Sequence, residues 1–159
     1  MIKFNIGIDL GGTKIESVVL DLNFNILFRQ RIPTESKKGP EHVLNQIQDV
    51  YSQALSGIQG KEHTLGIGTP GSLSKSTGLL RNSTISCQNG LPIHSLIEKK
   101  LSHSLSIEND ANCFALAESF MGAGKNYGLV FGVIMGTGCG GGFIHNGELR
   151  TGPQRLAGE

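Results

Sequence analysis

Asp9 stands one pleat ahead of Gly11-Gly12-Thr13-Lys14, and that spacing points to phosphate chemistry. Backbone N–H groups approach a phosphate closely only where side chains are missing, and glycine turns supply such anion-binding concavities. In "GIDLGGTK" the turn also carries a hydroxyl and an ammonium, so Gly11, Gly12, Thr13 and Lys14 form a candidate phosphate cradle. Asp9 is placed to hold a magnesium ion through water. The same letters suit a β-hairpin whose glycines only shape the turn, and this stretch alone does not separate the two readings.

A second stretch sharpens the question. "GVIMGTGCGGGFI" aligns with "GIDLGGTKIESVV", Gly132 falling on Gly7 and Gly136 on Gly11. Both read as an apolar strand, a glycine turn and another strand. Two such turns set face to face could grip a polyphosphate from both sides, which suggests ATP held between two lobes. Standard nucleotide motifs do not apply. The Walker pattern fails because Ser119 stands where the first glycine before Gly124-Lys125 belongs. A GxGxxG spacing occurs at Gly66, Gly68, Gly71 and again at Gly136, Gly138, Gly141, and neither run leads into a helix as a dinucleotide fold requires.

These turns need elements to hold them. Residues 4–9, 14–21 and 24–32 read as three strands in an antiparallel meander. From Pro40 the period changes, with Val43, Leu44, Ile47, Val50, Tyr51, Ala54 and Leu55 at three- and four-residue spacing, which predicts an amphipathic helix. "TLGIGTPG" predicts a short buried strand, residues 71–92 a long polar loop, Ile93 to Leu101 a second helix and "LSIEN" another strand. "DANCFALAESFM" predicts a third helix with Asn109 or Asp110 as its N-cap, and Cys113, Phe114, Ala115 and Ala117 are expected to pack inside. Strand and helix alternate, the α/β signature. "GAGKN" is the expected domain boundary, giving an N-terminal lobe over residues 1–122 and the start of a second lobe over 123–159. The chain ends at "RLAGE" with that second sheet only begun, so a fragment of a longer protein is expected.

Composition narrows the classes. Of 159 residues, 38% are hydrophobic and 17% charged, and no apolar run reaches the roughly 18 residues of a membrane span. The N-terminus lacks the basic, apolar and small-residue succession of a signal peptide, so a cytoplasmic location is expected. A net charge of +1 without a basic stripe argues against nucleic acid. The three cysteines form no CxxC and the five histidines no HExxH.

"DLGGTK", "GTPGS", "ENDANCFALAE" and "GTGCGGG", in that order, resemble the ROK sugar kinases, and the resemblance covers the whole chain. It implies the two-lobe fold of actin, Hsp70 and hexokinase, which is ribonuclease H-like, with the second lobe incomplete here. It implies magnesium ATP as phosphoryl donor, a hexose as acceptor and a homodimer as the complete assembly. Among family branches the chain looks most like bacterial fructokinases, which makes fructose the first expectation, with glucokinases and N-acetylglucosamine kinases next. Carried residue by residue, the resemblance implies Gly11, Gly12, Thr13 and Lys14 as the first phosphate loop and Gly136, Thr137 and Gly138 as the second. Asp9 lies near the magnesium, Asp110 is the catalytic base, and Gly71, Ser72, Asn82, Asn109, Asp110 and Glu159 bind the sugar. The family's histidine, cysteine-rich zinc site, adenosine pocket and final helix lie past Glu159, so zinc is expected only if the chain continues. Sugar-responsive repressors of the family carry a DNA-binding module ahead of the first glycine loop, where six residues precede Gly7 here. A truncated, non-catalytic sugar-binding protein is the remaining alternative.

Asp110 at a helix N-terminus would be stabilised as the anion by roughly 0.3–1 kcal/mol, which lowers its basicity. A modest base suffices in phosphoryl transfer, where positioning and charge neutralisation do most of the catalysis.

Overall fold

The computed structural model describes residues 3–136, 138–155 and 157–158. Strands β1 (Phe4–Leu10), β2 (Lys14–Leu20) and β3 (Ile26–Pro33) form the expected antiparallel meander. Helix α1 (Pro40–Gly57) crosses over to β4 (His63–Thr69), which pairs parallel to β1. Beyond it come the short β5 (Ser72–Leu73) and β6 (Leu80–Arg81), helix α2 (Ile93–Leu101), β7 (Ser106–Asn109) and helix α3 (Asp110–Met121). Strands β8 (Leu129–Met135), β9 (Cys139–His145) and β10 (Glu148–Leu149) follow. The main sheet runs β3-β2-β1-β4-β7, and β10-β9-β8 form a second, smaller one.

Alternation divides the main sheet into two unlike faces. Ile6, Ile8 and Leu10 of β1, Ile15 and Val19 of β2, and Leu65 and Ile67 of β4 are all buried, in one core with Val43, Leu44, Ile47, Val50, Tyr51 and Ala54 of α1 and Ile93 and Ile97 of α2. Each buried valine, leucine or isoleucine among them contributes about 1.5–3 kcal/mol by leaving water. The opposite face presents Gly7, Asp9, Glu16, Gly66, Gly68 and Glu108 to a groove of about 750 Å³.

Residues 71–92 depart from the predicted loop. Ser72 and Leu73 pair with Arg81 and Leu80 as a small hairpin, anchored by the fully buried Leu80 and Ile85. Beyond it the Asn89 amide closes a turn by accepting from Ser83 N–H at 2.9 Å and donating to Ser83 C=O at 2.9 Å. Two isolated apolar anchors among polar residues carry no periodicity, which hid the element from sequence reading.

Helix α3 serves both sheets. It follows β7 directly, yet its buried Ala111, Asn112 and Ala115 meet β8 and β9 at glycines. A Cβ on Gly132 would lie 2.8 Å from Ala115 Cα, and one on Gly142 would lie 2.9 Å from Asn112 Cα. Phe114 and Ala117, both expected inside, are exposed, Phe114 by 38%, because Ala111 and Ala115 face the second sheet instead. The other face of β8–β9 exposes Leu129, Phe131, Val133 and Met135, with Phe131 stacked on Phe143 at 4.3 Å between centroids. Among the described residues no helix is long and apolar enough to cross a membrane.

Candidate active site

The first glycine turn connects β1 and β2, and it is tied from outside. Gly11 N–H donates to Lys14 C=O at 2.9 Å across the turn. Thr34, fully buried just past β3, donates its hydroxyl to Gly11 C=O at 2.6 Å and its N–H to Thr13 C=O at 2.9 Å. With those carbonyls held by protein donors, the turn has a fixed shape. Sequence reading did not single out Thr34, since nothing in its neighbourhood marks it. Thr13 and Lys14 are exposed at the turn.

The second turn joins β8 and β9, closed by Gly136 N–H donating to Gly138 C=O at 2.8 Å. Thr137 lies outside the described residues, as does Glu159. Among the described residues, and apart from its chain neighbours, a Cβ on Gly136 or Gly138 would meet nothing within 4 Å, and one on Gly12 would meet only Thr84 Oγ1 at 3.5 Å. The space beside these three glycines is therefore open to a ligand.

Both turns border one cleft of about 330 Å³, which is also lined by Gly71, Asn82, Thr84, Asn109, Asp110, Ile134 and Cys139. Asp110 opens α3, where its Oδ1 accepts from Ala111 N–H at 2.8 Å. Asn109 caps the helix, its Oδ1 accepting from Asn112 N–H at 3.1 Å while its Nδ2 donates to Gly71 C=O at 3.1 Å. Gly71 sits at φ 83°, and a Cβ there would lie 2.4 Å from Arg81 C=O, so only glycine fits. Asn82 holds the left-handed conformation at φ 56° beside the cleft, a strained backbone state for a residue with a side chain. Ser72 is buried, and its Oγ accepts from Arg81 Nε at 3.4 Å. It does not line the cleft.

Strand register builds a feature that no local motif announces. Arg31 pairs with Glu16, Glu16 with Asp9, Asp9 with Gly68, and Gly68 with Glu108, so these five residues form one rung across the sheet. Glu16 holds Arg29 and Arg31 in ion pairs. The Asp9 carboxyl lies above its ordinary range: burial raises it most, the Asp110 and Glu16 carboxylates raise it further, and Arg31 pulls it back. Two carboxylates that repel each other, Asp9 and Asp110, are the kind of donor set that a hard cation such as magnesium relieves. Cys113, one turn into α3, has its thiol pushed up to about 11 by burial and by Glu108, Asp110 and Asp9, which keeps it protonated and unreactive at neutral pH.

Comparison with known proteins places this geometry. The ROK family matches residues 5–159. The N-acetyl-D-glucosamine kinase of Haemophilus influenzae is 39% identical over 153 residues, 96% of this chain and 50% of the relative. A ROK hexokinase from Thermus thermophilus superposes with a TM-score of 0.83 at 31% identity, over 98% of this chain and 51% of that one. A ROK glucokinase from Streptomyces griseus, solved with glucose and AMPPNP, gives a TM-score of 0.84 at 30% identity, over 98% of this chain and 49% of that one. The chain thus spans about half the length of the relatives it matches, and its mixed sheet with an incomplete second lobe is the hexokinase-like α/β fold of these kinases. By sequence match and by fold alike, the chain belongs to the ROK family.

Proposed function

We propose that this chain carries the phosphate turns and catalytic base of an ATP-dependent hexose kinase. The observation that supports the reading most is the convergence, on one cleft, of two glycine turns with open space beside them and of Asp110 at the head of α3. Gly11, Gly12, Thr13 and Lys14 bind the nucleotide's phosphates from one side, and Gly136, Thr137 and Gly138 from the other. Magnesium ATP supplies the transferable phosphoryl group together with a cation that neutralises charge on it. Asp9 and Asp110 are the carboxylates suited to that cation, Asp9 acting through water.

Asp110 takes the proton of the sugar hydroxyl as the new bond to phosphorus forms. Its Oδ1 is engaged by Ala111 N–H, which fixes the orientation of the carboxylate toward the cleft. Gly71, Asn82 and Asn109 line the same cleft and hold the sugar, with Ser72 supporting the hairpin behind Gly71; Glu159, a further sugar ligand in this reading, lies outside the described residues. Residues 1–122 form the N-terminal lobe in this reading, and 123–159 begin the second.

For the sugar, the relatives named N-acetyl-D-glucosamine kinase shift the first choice from fructose to N-acetylglucosamine, with glucose and fructose next. A panel of these sugars with magnesium ATP and ADP release as readout tests the assignment on the protein at its full natural length. Turnover with N-acetylglucosamine at least tenfold above fructose supports the choice, and the reverse order restores fructose. Hexose binding by calorimetry with no ADP released from any sugar would overturn the kinase reading.

A further inference from the structure

The machinery described so far leaves Glu108 and Asn112 without a role, although both touch the residues that carry Asp110. Glu108 Oε1 accepts two hydrogen bonds at once, from Asn109 N–H at 2.9 Å and from Asn112 Nδ2 at 3.1 Å. Asn112 N–H in turn donates to Asn109 Oδ1, and Asn109 Nδ2 reaches Gly71 C=O. One carboxylate oxygen therefore ties the last residue of β7 to the first turn of α3, with Asp110 enclosed between the tied residues. Asn112 is 4% exposed, and its own Oδ1 has no partner among the described residues, so its amide is oriented by Glu108 alone. The backbone of β9 approaches closely on the other side, where a Cβ on Gly142 would lie 2.9 Å from Asn112 Oδ1. The brace is thus pressed against β9, the strand that begins at the second glycine turn.

We infer that Glu108 and Asn112 are positioning residues for Asp110, a carboxylate–amide brace that sets the angle at which the base enters the cleft. The inference rests on the kinase reading above. A strand running straight into a helix has a soft junction, because the backbone changes conformation within one residue: Asn109 is extended at φ −60°, ψ 141°, and Asp110 is already helical. Two bonds onto one acceptor remove that freedom. Glu108 acts here as an acceptor, so its geometry matters and its charge does not.

The test uses Glu108→Ala, Glu108→Gln and Asn112→Ala in the protein at its full natural length. Steady-state kinetics are normalised to folded protein, and amide hydrogen exchange is followed at residues 109–112. Misplacing a catalytic group by about an ångström lowers turnover by about 10²-fold. Glu108→Ala is expected to lower kcat by 10- to 100-fold, with KM for the sugar within about threefold, since the sugar's own contacts remain. Glu108→Gln keeps an acceptor oxygen and is expected to recover most of that loss. Adding Asn112→Ala to Glu108→Ala should give much less than the product of the single effects, because one brace is broken twice. A glutamine variant as slow as the alanine variant would assign the effect to charge and overturn the brace, and so would an unchanged kcat in Glu108→Ala. If the wild type releases no ADP with any sugar, the kinase reading fails by itself. Exchange then decides the brace: faster exchange of the Asn109 and Asn112 amides in Glu108→Ala upholds it, and unchanged exchange removes it.

Discussion

The two glycine turns are spelled alike and built differently. The first is a short turn between β1 and β2 whose carbonyls are held by Thr34, so protein donors shape it from outside. The second closes on itself through Gly136 and Gly138 and then runs on as glycine into β9. There the glycines change task. Gly136 and Gly138 leave open space beside the cleft, whereas Gly140, Gly142 and the facing Gly132 let α3 lie almost directly on strand backbone. One run of letters thus holds a cleft-facing part and a packing part, and the difference is what each missing Cβ would meet.

Substitutions can break or sharpen that contrast. The largest effect belongs to the residue set between the turns: Asp110→Asn should lower kcat by about 10³-fold while hexose binding by calorimetry persists, and retained turnover would remove Asp110 as base. Next, Gly142→Val pushes a side chain into Asn112 and Ala115, so urea unfolding should show a loss of about 3 kcal/mol or failure to fold. A stable Gly142→Val protein would end the distinction between packing and cleft-facing glycines. Thr34→Val strips a buried donor from Gly11 C=O and should cost about 1–3 kcal/mol, with KM for ATP raised and the sugar KM unmoved. Gly138→Ala should leave the urea midpoint unchanged, a shift below about 0.5 kcal/mol, and weaken ATP alone.

The smallest effect is at Asp9, and its sign follows from the raised carboxyl. Over the window above the ordinary value of 3.8, the folded protein binds more protons at this site than the unfolded chain, so stability falls as pH rises through it. Asp9→Asn removes that dependence. Without nucleotide, its Tm should exceed the wild type's slightly at pH 7, with the gap closing toward pH 4. An equal gap at both pH values would place the effect elsewhere.

Local patterns made part of this molecule readable. The spacing of Val43, Ile47, Val50 and Ala54 gave α1 because a buried helix face must repeat every three or four residues. The β1–β2–β3 meander and the glycine turns were visible because each is specified within a few residues, whereas the Ser72–Arg81 hairpin was not. What stayed hidden depends on register between distant strands. Arg31, Glu16, Asp9, Gly68 and Glu108 are scattered over the first two thirds of the chain and become neighbours only when β4 pairs parallel to β1 and β7 to β4. Thr34 and the Glu108–Asn112 pair are likewise invisible until the turns they hold have been placed. Phe114 and Ala117 were expected inside with Cys113 and Ala115, whereas close helix–sheet contact at glycines buries Ala111 and Ala115.

The parallel pairing of β1 with β4 also bears on the order of events during folding. The β1–β2–β3 meander joins segments adjacent in sequence, so little chain must be organised before those strands meet. Joining β1 to β4 closes a loop containing the other two strands and all of α1, and such non-local closure is slow. Asp110 and the second glycine turn come later still along the chain. Pulse-labelled exchange during refolding should therefore find β2 and β3 amides protected before those of β7, and a nascent chain would acquire its meander well before the cleft between the two glycine turns could form.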